Sequence, residues 1–396
     1  MKRARRIPQF VVLVALSAAL VGCTVEPSAT VVPAPTLMPR TQPVQIDPVA
    51  DYASDRLATM SLESKVLSML MVHAPGTSPA DRLNAKFADV GGFILMGDNI
   101  PGTLEQLSAD TAALSSEAGL PVLIATDQEG GIVRRVPTDN APAAAQLRSL
   151  APEATFDAFA TRGALLESVG VSMNFGIVAD VAASSSSFIY ERSFGSTGTD
   201  TAARVAQAVA GESNILSTLK HFPGHGAAAG DSHSSIPTTS LSLSDWQDTH
   251  ALPFQAGIEA GASSVMFGHL AFTAVDPLPA TFSERWHEIL RDELGFEGII
   301  ITDDMGMLER SGVPEYSDQA ANAVRAIAAG NTMLLYVAPV DSDAIVTAVS
   351  QAVDNGTLDE SVIDDAARRL LELRRGLSGE TGRYVHCGAE CVAIAG

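Results

Sequence analysis

Positive charge is scarce in this 396-residue chain: 25 Lys and Arg stand against 46 Asp and Glu, for a formal net charge of −21. Residues 1–22 hold four of those cations and no anion, so the chain without them sits near −25. A body so acidic repels nucleic acid and anionic lipid instead of seeking them. Cysteine is scarce too, at three residues. Apart from Cys23 only Cys387 and Cys391 remain, with His386 as the one nearby extra ligand. Zinc is therefore disfavoured, and a small local Cys387–Cys391 disulfide is expected if the chain is exported. The run FVVLVALSAAL, from Phe10 to Leu20, is too short to span a bilayer comfortably. No glycine-rich phosphate loop follows the first strand-like run, and GDNIPG after the second lacks the spacing of one.

What is present begins with an address. Lys2, Arg3, Arg5 and Arg6 precede the apolar run, which is the order of a secretory signal over residues 1–22. The following Leu20-Val21-Gly22-Cys23 resembles the bacterial lipobox, whose cysteine is lipidated and becomes the mature N-terminus. Export and lipid anchoring to the outer face of the cell membrane, through Cys23, are the expectation. Residues 24–48 carry six prolines among Thr and Ser with no apolar period, so residues 23–48 are read as an extended tether.

From about residue 60 to 376 one pattern repeats: a short apolar run, a polar or glycine-rich stop, then helical spacing. Eight runs are expected as strands: VLSMLMV (66–72), GGFILM (91–96), PVLIATD (121–127), VSMNFGIV (171–178), NILSTLKH (214–221), SSVMFGH (263–269), GIIITDD (298–304) and TMLLYV (332–337). Segments such as LSLSDWQDTHALPFQAGIEAG and ERWHEILRDELG read as helices between them. The pattern predicts an α/β fold, a single (β/α)8 TIM-type barrel over residues 49–378, with a tail at 379–396. A doubly wound open sheet is the alternative. The barrel is preferred because chemistry-bearing residues recur at the ends of the runs, where a barrel brings them to one mouth: Asp127, Lys220, His221, His269 and Asp303.

The densest such segment is KHFPGHGAAAGDSH, Lys220 to His233. Pro223 and the glycines keep His221 and His225 off one helical face, so their spacing is not a helical zinc pair. Asp231 and His233 stand two apart and point the same way in an extended segment, so the carboxylate can hold or charge the imidazole. A solvated loop pair would look the same. In GFEGIIITDDMGM a buried strand runs into Asp303 and Asp304; successive side chains alternate, so one faces a substrate and the other holds backbone or loop. ATDQEGGIVRR adds Asp127 and the guanidinium of Arg135, groups suited either to clamping hydroxyls or to a buried ion pair.

Taken in order, TDQEGG, ERSFG (Glu191 to Gly195), KHFPGHG with its following DSH, and EGIIITDDMGM resemble glycoside hydrolase family 3, in particular its β-N-acetylglucosaminidase branch. The resemblance covers residues 55 to 376. It implies a barrel enzyme removing one sugar at a time from non-reducing ends with retention. Asp303 then resembles the nucleophile, His233 the general acid/base and Asp231 its partner. Asp127, Arg135, Arg192, Lys220 and His221 match positions that grip the terminal sugar, while His225 and His269 are left as supports. No metal or organic cofactor is required. The expected partners are N-acetylglucosaminides or cell-wall fragments and, through the lipid, a membrane; a monomer is expected and nucleic acid is not. A β-glucosidase-type member of the family and a non-catalytic glycan-binding lipoprotein are the alternatives. The chain departs from the family pattern at Thr332, where an acidic residue is common, and in SKVLSML, which lacks Gly-Gln after the lysine. Only twenty residues follow residue 376, so no second α/β domain is expected and the acid/base must come from the barrel.

Overall fold

The computed structural model describes residues 48–86, 89–114, 119–182 and 184–378. Cys23, the signal and tether up to residue 47, and the Cys387–Cys391 pair lie outside the described residues.

Eight parallel strands form one sheet: β1 (Leu70–Val72), β2 (Gly92–Leu95), β3 (Leu123–Thr126), β4 (Met173–Val178), β5 (Leu216–Phe222), β6 (Ser264–Phe267), β7 (Ile299–Thr302) and β8 (Leu334–Tyr336). Each from β1 to β6 pairs with the next in chain order, and β8 pairs with β1. The remaining seam, β7 to β8, is nearly closed by a parallel bridge between Ile301 and Met333, where the Met333 N–H donates to Ile300 O at 3.0 Å. A doubly wound sheet reverses its strand order at a switch point. This order runs straight through, as barrel closure requires.

Both faces of these strands are covered, which is why they read as continuous apolar runs and not as alternating ones. The first run is the exception. Val66 to Ser68 belong to a helix, Leu62–Ser68, whose N-cap Ser61 accepts the Ser64 N–H at 3.1 Å. Only Leu70–Val72 is strand, because a short apolar run alone does not separate a buried helix from a buried strand. Lys65 in the same segment pairs with Glu360 (2.9 Å) and Asp364 (2.6 Å), tying this helix to the last one, Glu360–Leu377.

The segment from 241 to 261 resolves into two helices, Leu243–Gln247 and Ala251–Glu259, and ERWHEILRDELG into a helix, Glu284–Glu288, continued by a π-helical turn, Ile289–Glu293. Their aromatic residues build the core under β5. The Phe222 ring lies 4.8 to 5.8 Å from those of Phe267, Phe254, Trp286 and Trp246. Trp246 Nε1 donates to the Pro223 carbonyl at 2.7 Å, so the core also holds the start of the loop that follows. Thr332 sits in the seam: its hydroxyl accepts the Ile300 N–H at 3.2 Å and lies 3.4 Å from Arg291 Nη2. Burial and the nearby Arg369 pull Arg291 down to about 10. No described helix is long and apolar enough to cross a membrane.

Candidate active site

The mouth at the C-terminal ends of the strands opens on a cavity of about 420 Å³, within the range of small-molecule sites. Asp127, Arg135, Arg192, Lys220, His221, His233 and Asp303 all line it. Asp127 follows β3, Lys220 and His221 end β5, and Asp303 follows β7; Arg135 follows a hairpin after β3, and Arg192 comes from the short turn Tyr190–Arg192.

Three cations and two carboxylates interlock on the cavity floor. Lys220 Nζ lies 2.9 Å from Asp127 and 2.7 Å from Glu129. Arg135 donates to the other Asp127 oxygen at 3.0 Å, and Arg192 grips Glu129 with two bonds, 2.9 and 2.7 Å. Burial alone would raise Asp127, but Lys220 and Arg135 outweigh it and hold the carboxyl at about 2. Glu129 is lowered in the same way, burial being overcome by Lys220 and Arg192. Burial would lower Lys220, yet Asp127 and Glu129 raise it. Asp127, Glu129 and Lys220 therefore stay charged through the neutral range, which holds donors and acceptors for hydroxyl groups in fixed places.

Asp180, just after β4, organises the next layer. One oxygen lies 2.7 Å from His221 Nδ1, and the carboxylate accepts the backbone N–H groups of His221 (3.3 Å) and His225 (2.6 Å). Burial pushes Asp180 up to about 6, which leaves it ionised at neutral pH. His221 is held well below its ordinary value, first by burial and then by the Arg192 charge, so it is neutral. With Nδ1 donating to Asp180, its Nε2 is an acceptor, 3.4 Å from Arg192 Nη2. The Lys220–His221 and Phe222–Pro223 peptide bonds are both cis.

Asp303 and Asp304 lie just beyond the strand and both line the cavity, so strand alternation does not separate them; their partners do. Asp304 is occupied in joining strand ends: Oδ1 accepts the N–H groups of Gly306 (3.1 Å) and Val337 (3.0 Å), and Oδ2 takes Arg310 at 2.8 Å. Asp303 is anchored through its backbone N–H to Phe267 O at 2.8 Å, and its Oδ1 accepts the Asp304 N–H at 2.8 Å.

The Asp231–His233 pair forms, with 2.6 Å between Asp231 Oδ1 and His233 Nδ1, but in a turn and not in the extended segment expected: the same Oδ1 accepts the His233 backbone N–H at 3.0 Å. Burial would raise Asp231, but hydrogen bonds from the His233 backbone and ring hold it low. The side chains stay open to solvent, 45% exposed for Asp231 and 62% for His233. What fixes them is the buried residue between: Ser232 Oγ lies 3.0 Å from His225 Nε2. Gly226 lets this turn press on the end of β4, since a Cβ there would sit 1.9 Å from Val181 O. His225 is thus a loop support. His269 is also a support, buried between Thr281 Oγ1 (2.7 Å) and Asp304 O (3.0 Å). His221 and His225 turn to different partners, and among the described residues no group of three or more His, Cys, Asp or Glu is arranged to hold a metal.

Sequence reasoning missed Glu129 and Asp180. Each carried a signal: Glu129 stands two residues beyond Asp127 in TDQEGG, and Asp180 two beyond the run ending at Val178.

Residues 61–373 match the glycosyl hydrolase family 3 N terminal domain. A beta-hexosaminidase of Nitrosomonas eutropha is 33% identical over 350 residues, which cover 83% of this chain and 97% of that protein. Among solved structures, a glycoside hydrolase family 3 beta-N-acetylglucosaminidase from Paenibacillus sp. matches with a TM-score of 0.74 and 29% identity, over 85% of this chain and 66% of that one. A beta-N-acetylhexosaminidase from Beutenbergia cavernae matches with a TM-score of 0.71 and 31% identity, over 80% and 99% respectively. With its barrel, its charged mouth and a family match over most of its length, the chain belongs to glycosyl hydrolase family 3.

Proposed function

We propose that this family 3 glycoside hydrolase, of the β-N-acetylhexosaminidase type by its relatives, is an exo-acting, retaining β-N-acetylglucosaminidase. Its substrates are cell-wall (peptidoglycan) fragments or amino-sugar oligosaccharides with a terminal non-reducing N-acetylglucosamine. The observation that carries the reading is that Asp303 and the Asp231-backed His233 line one cavity with the interlocked Asp127, Arg135, Arg192 and Lys220.

In this reading an Asp303 oxygen attacks the anomeric carbon as His233 Nε2 gives a proton to the departing oxygen, leaving a glycosyl-enzyme. His233, now neutral, takes a proton from water as that water attacks the same carbon, which frees the sugar and restores Asp303. Asp231 holds Nδ1 and stabilises the imidazolium. The Asp127 carboxylate and His221 Nε2 accept from sugar hydroxyls, and Arg135, Arg192 and Lys220 donate to them. The test is paired hydrolysis of nitrophenyl β-N-acetylglucosaminide and nitrophenyl β-glucoside. A clear preference for the first is expected. A preference for the glucoside turns the assignment to the β-glucosidase type, and hydrolysis of neither turns it to a glycan-binding protein.

We also propose that the enzyme is exported and anchored by lipid at Cys23, with residues 24–48 as tether. Support comes from the cationic start, the short apolar run and the lipobox-like Leu20 to Cys23. Cys23→Ala is expected to move the protein from the membrane fraction to the soluble one without changing specific activity. Retention in salt-washed membranes would overturn the anchor.

A further inference from the structure

The cavity has a second character that the sugar-gripping residues do not use. Its lining includes Phe188 and Ile132, 45% and 75% exposed and two of the few large apolar side chains left in solvent among the described residues. Met96, Met307 and Val337 line it as well. Phe188 comes from the SSSSFIY segment just before Arg192. Its ring centroid lies 6.1 Å from that of His233, edge to face, and 5.4 Å from that of His225. An exposed aromatic costs solvation free energy that a bound partner recovers.

We propose that Phe188 is the platform of a subsite for the leaving group, and that its occupant is a second pyranose ring. The inference rests on the acid/base reading of His233. The group that protonates the glycosidic oxygen stands where the bond breaks, so a side chain beside it faces what departs. The polar floor, where Asp127, Lys220 and Arg192 interlock, is left to the terminal sugar. A pyranose presents a face of C–H groups about as wide as a phenyl ring and stacks on it. Phenylalanine offers that face no hydrogen bond, so it reads ring shape and not hydroxyl pattern. Such a subsite takes sugars that differ in their substituents and gains nothing from an alkyl group.

The experiment compares kcat/KM for a β-linked N-acetylglucosamine disaccharide with that for methyl β-N-acetylglucosaminide, in wild type, Phe188→Ala and Phe188→Tyr. Both leaving groups are alkoxides that need a proton, so a disturbed His233 affects both, whereas only the disaccharide fills the subsite. In Phe188→Ala the disaccharide-to-methyl ratio is expected to fall about tenfold, the scale of a lost aromatic contact together with its buried area. Phe188→Tyr keeps the ring and should keep the ratio. An unchanged ratio in Phe188→Ala overturns the subsite. If both rates drop together, the ring serves the His233 loop alone. Because the readout is a ratio on one glycone, it stays separate from the choice of glycone: if wild type prefers glucosides, the proposed function fails and the same comparison runs on a glucose disaccharide and methyl glucoside.

Discussion

Asp303→Asn should abolish nearly all hydrolysis, lowering kcat/KM on the order of 10⁴-fold or more for every substrate, whatever the leaving group. The covalent step needs a carboxylate oxygen, and an amide is too weak a nucleophile to replace it. Folding should be spared. Asparagine keeps an Oδ1 to accept the Asp304 N–H, and the backbone bond from residue 303 to Phe267 is untouched. Thermal unfolding close to that of wild type, alongside lost activity with both nitrophenyl and disaccharide substrates, is the expected pair of results. Activity within tenfold of wild type would remove Asp303 from the nucleophile role. Asp304 is not a ready substitute, since its two oxygens already serve Gly306, Val337 and Arg310.

His233→Ala should behave differently, because its effect depends on what leaves. A positioned acid supplies roughly 10² to 10⁴ in rate when the departing oxygen is basic. The loss in glycosylation should therefore be of that size for a natural disaccharide and far smaller for a nitrophenyl N-acetylglucosaminide, whose leaving group is stable as an anion. The second step also uses His233, as base, so glycosylation is read from the pre-steady-state release of nitrophenol. Added azide, which needs no deprotonation, should restore turnover of the glycosyl-enzyme. Asp231→Ala should give the same pattern more weakly, since Asp231 touches the imidazole at Nδ1 and orients and charges it. Equal glycosylation losses for the two substrates would refute the acid/base role and leave the Asp231–His233 loop as a binding element. The exposed position of the pair makes misfolding an implausible cause of any loss.

The parts legible in the chain are those set by neighbours in sequence. Asp303 and Asp304 are legible as the carboxylates that follow a buried strand, but both line the cavity, and their partners separate them: Asp304 is tied to Gly306, Val337 and Arg310. Asp231 and His233 meet because Asp231 Oδ1 closes a tight turn by accepting the His233 backbone N–H at 3.0 Å as well as binding Nδ1, so their bond is local although the segment is not extended. Seven of the apolar runs contain the strands expected of them because burial on both faces demands continuous apolar sequence. The first run failed in part because a serine cap three residues before Ser64 started a helix whose apolar content looked the same.

By itself, then, the sequence determined which residues end each strand and therefore which side chains reach the mouth, together with the order of motifs that marks the family. Tertiary structure alone decided how those side chains pair. Glu129 meets Arg192 across 63 residues of chain, Lys220 meets Asp127 across 93, and Asp180 holds His221 across 41. It decided as well that Thr332 fills the closing seam and that Phe188 stands beside His233. The reason is physical. Local pattern fixes backbone direction and which face is buried, whereas an ion pair or a ring contact between distant residues exists only once the sheet curls and brings separate strand ends to one rim, where burial then sets their charge.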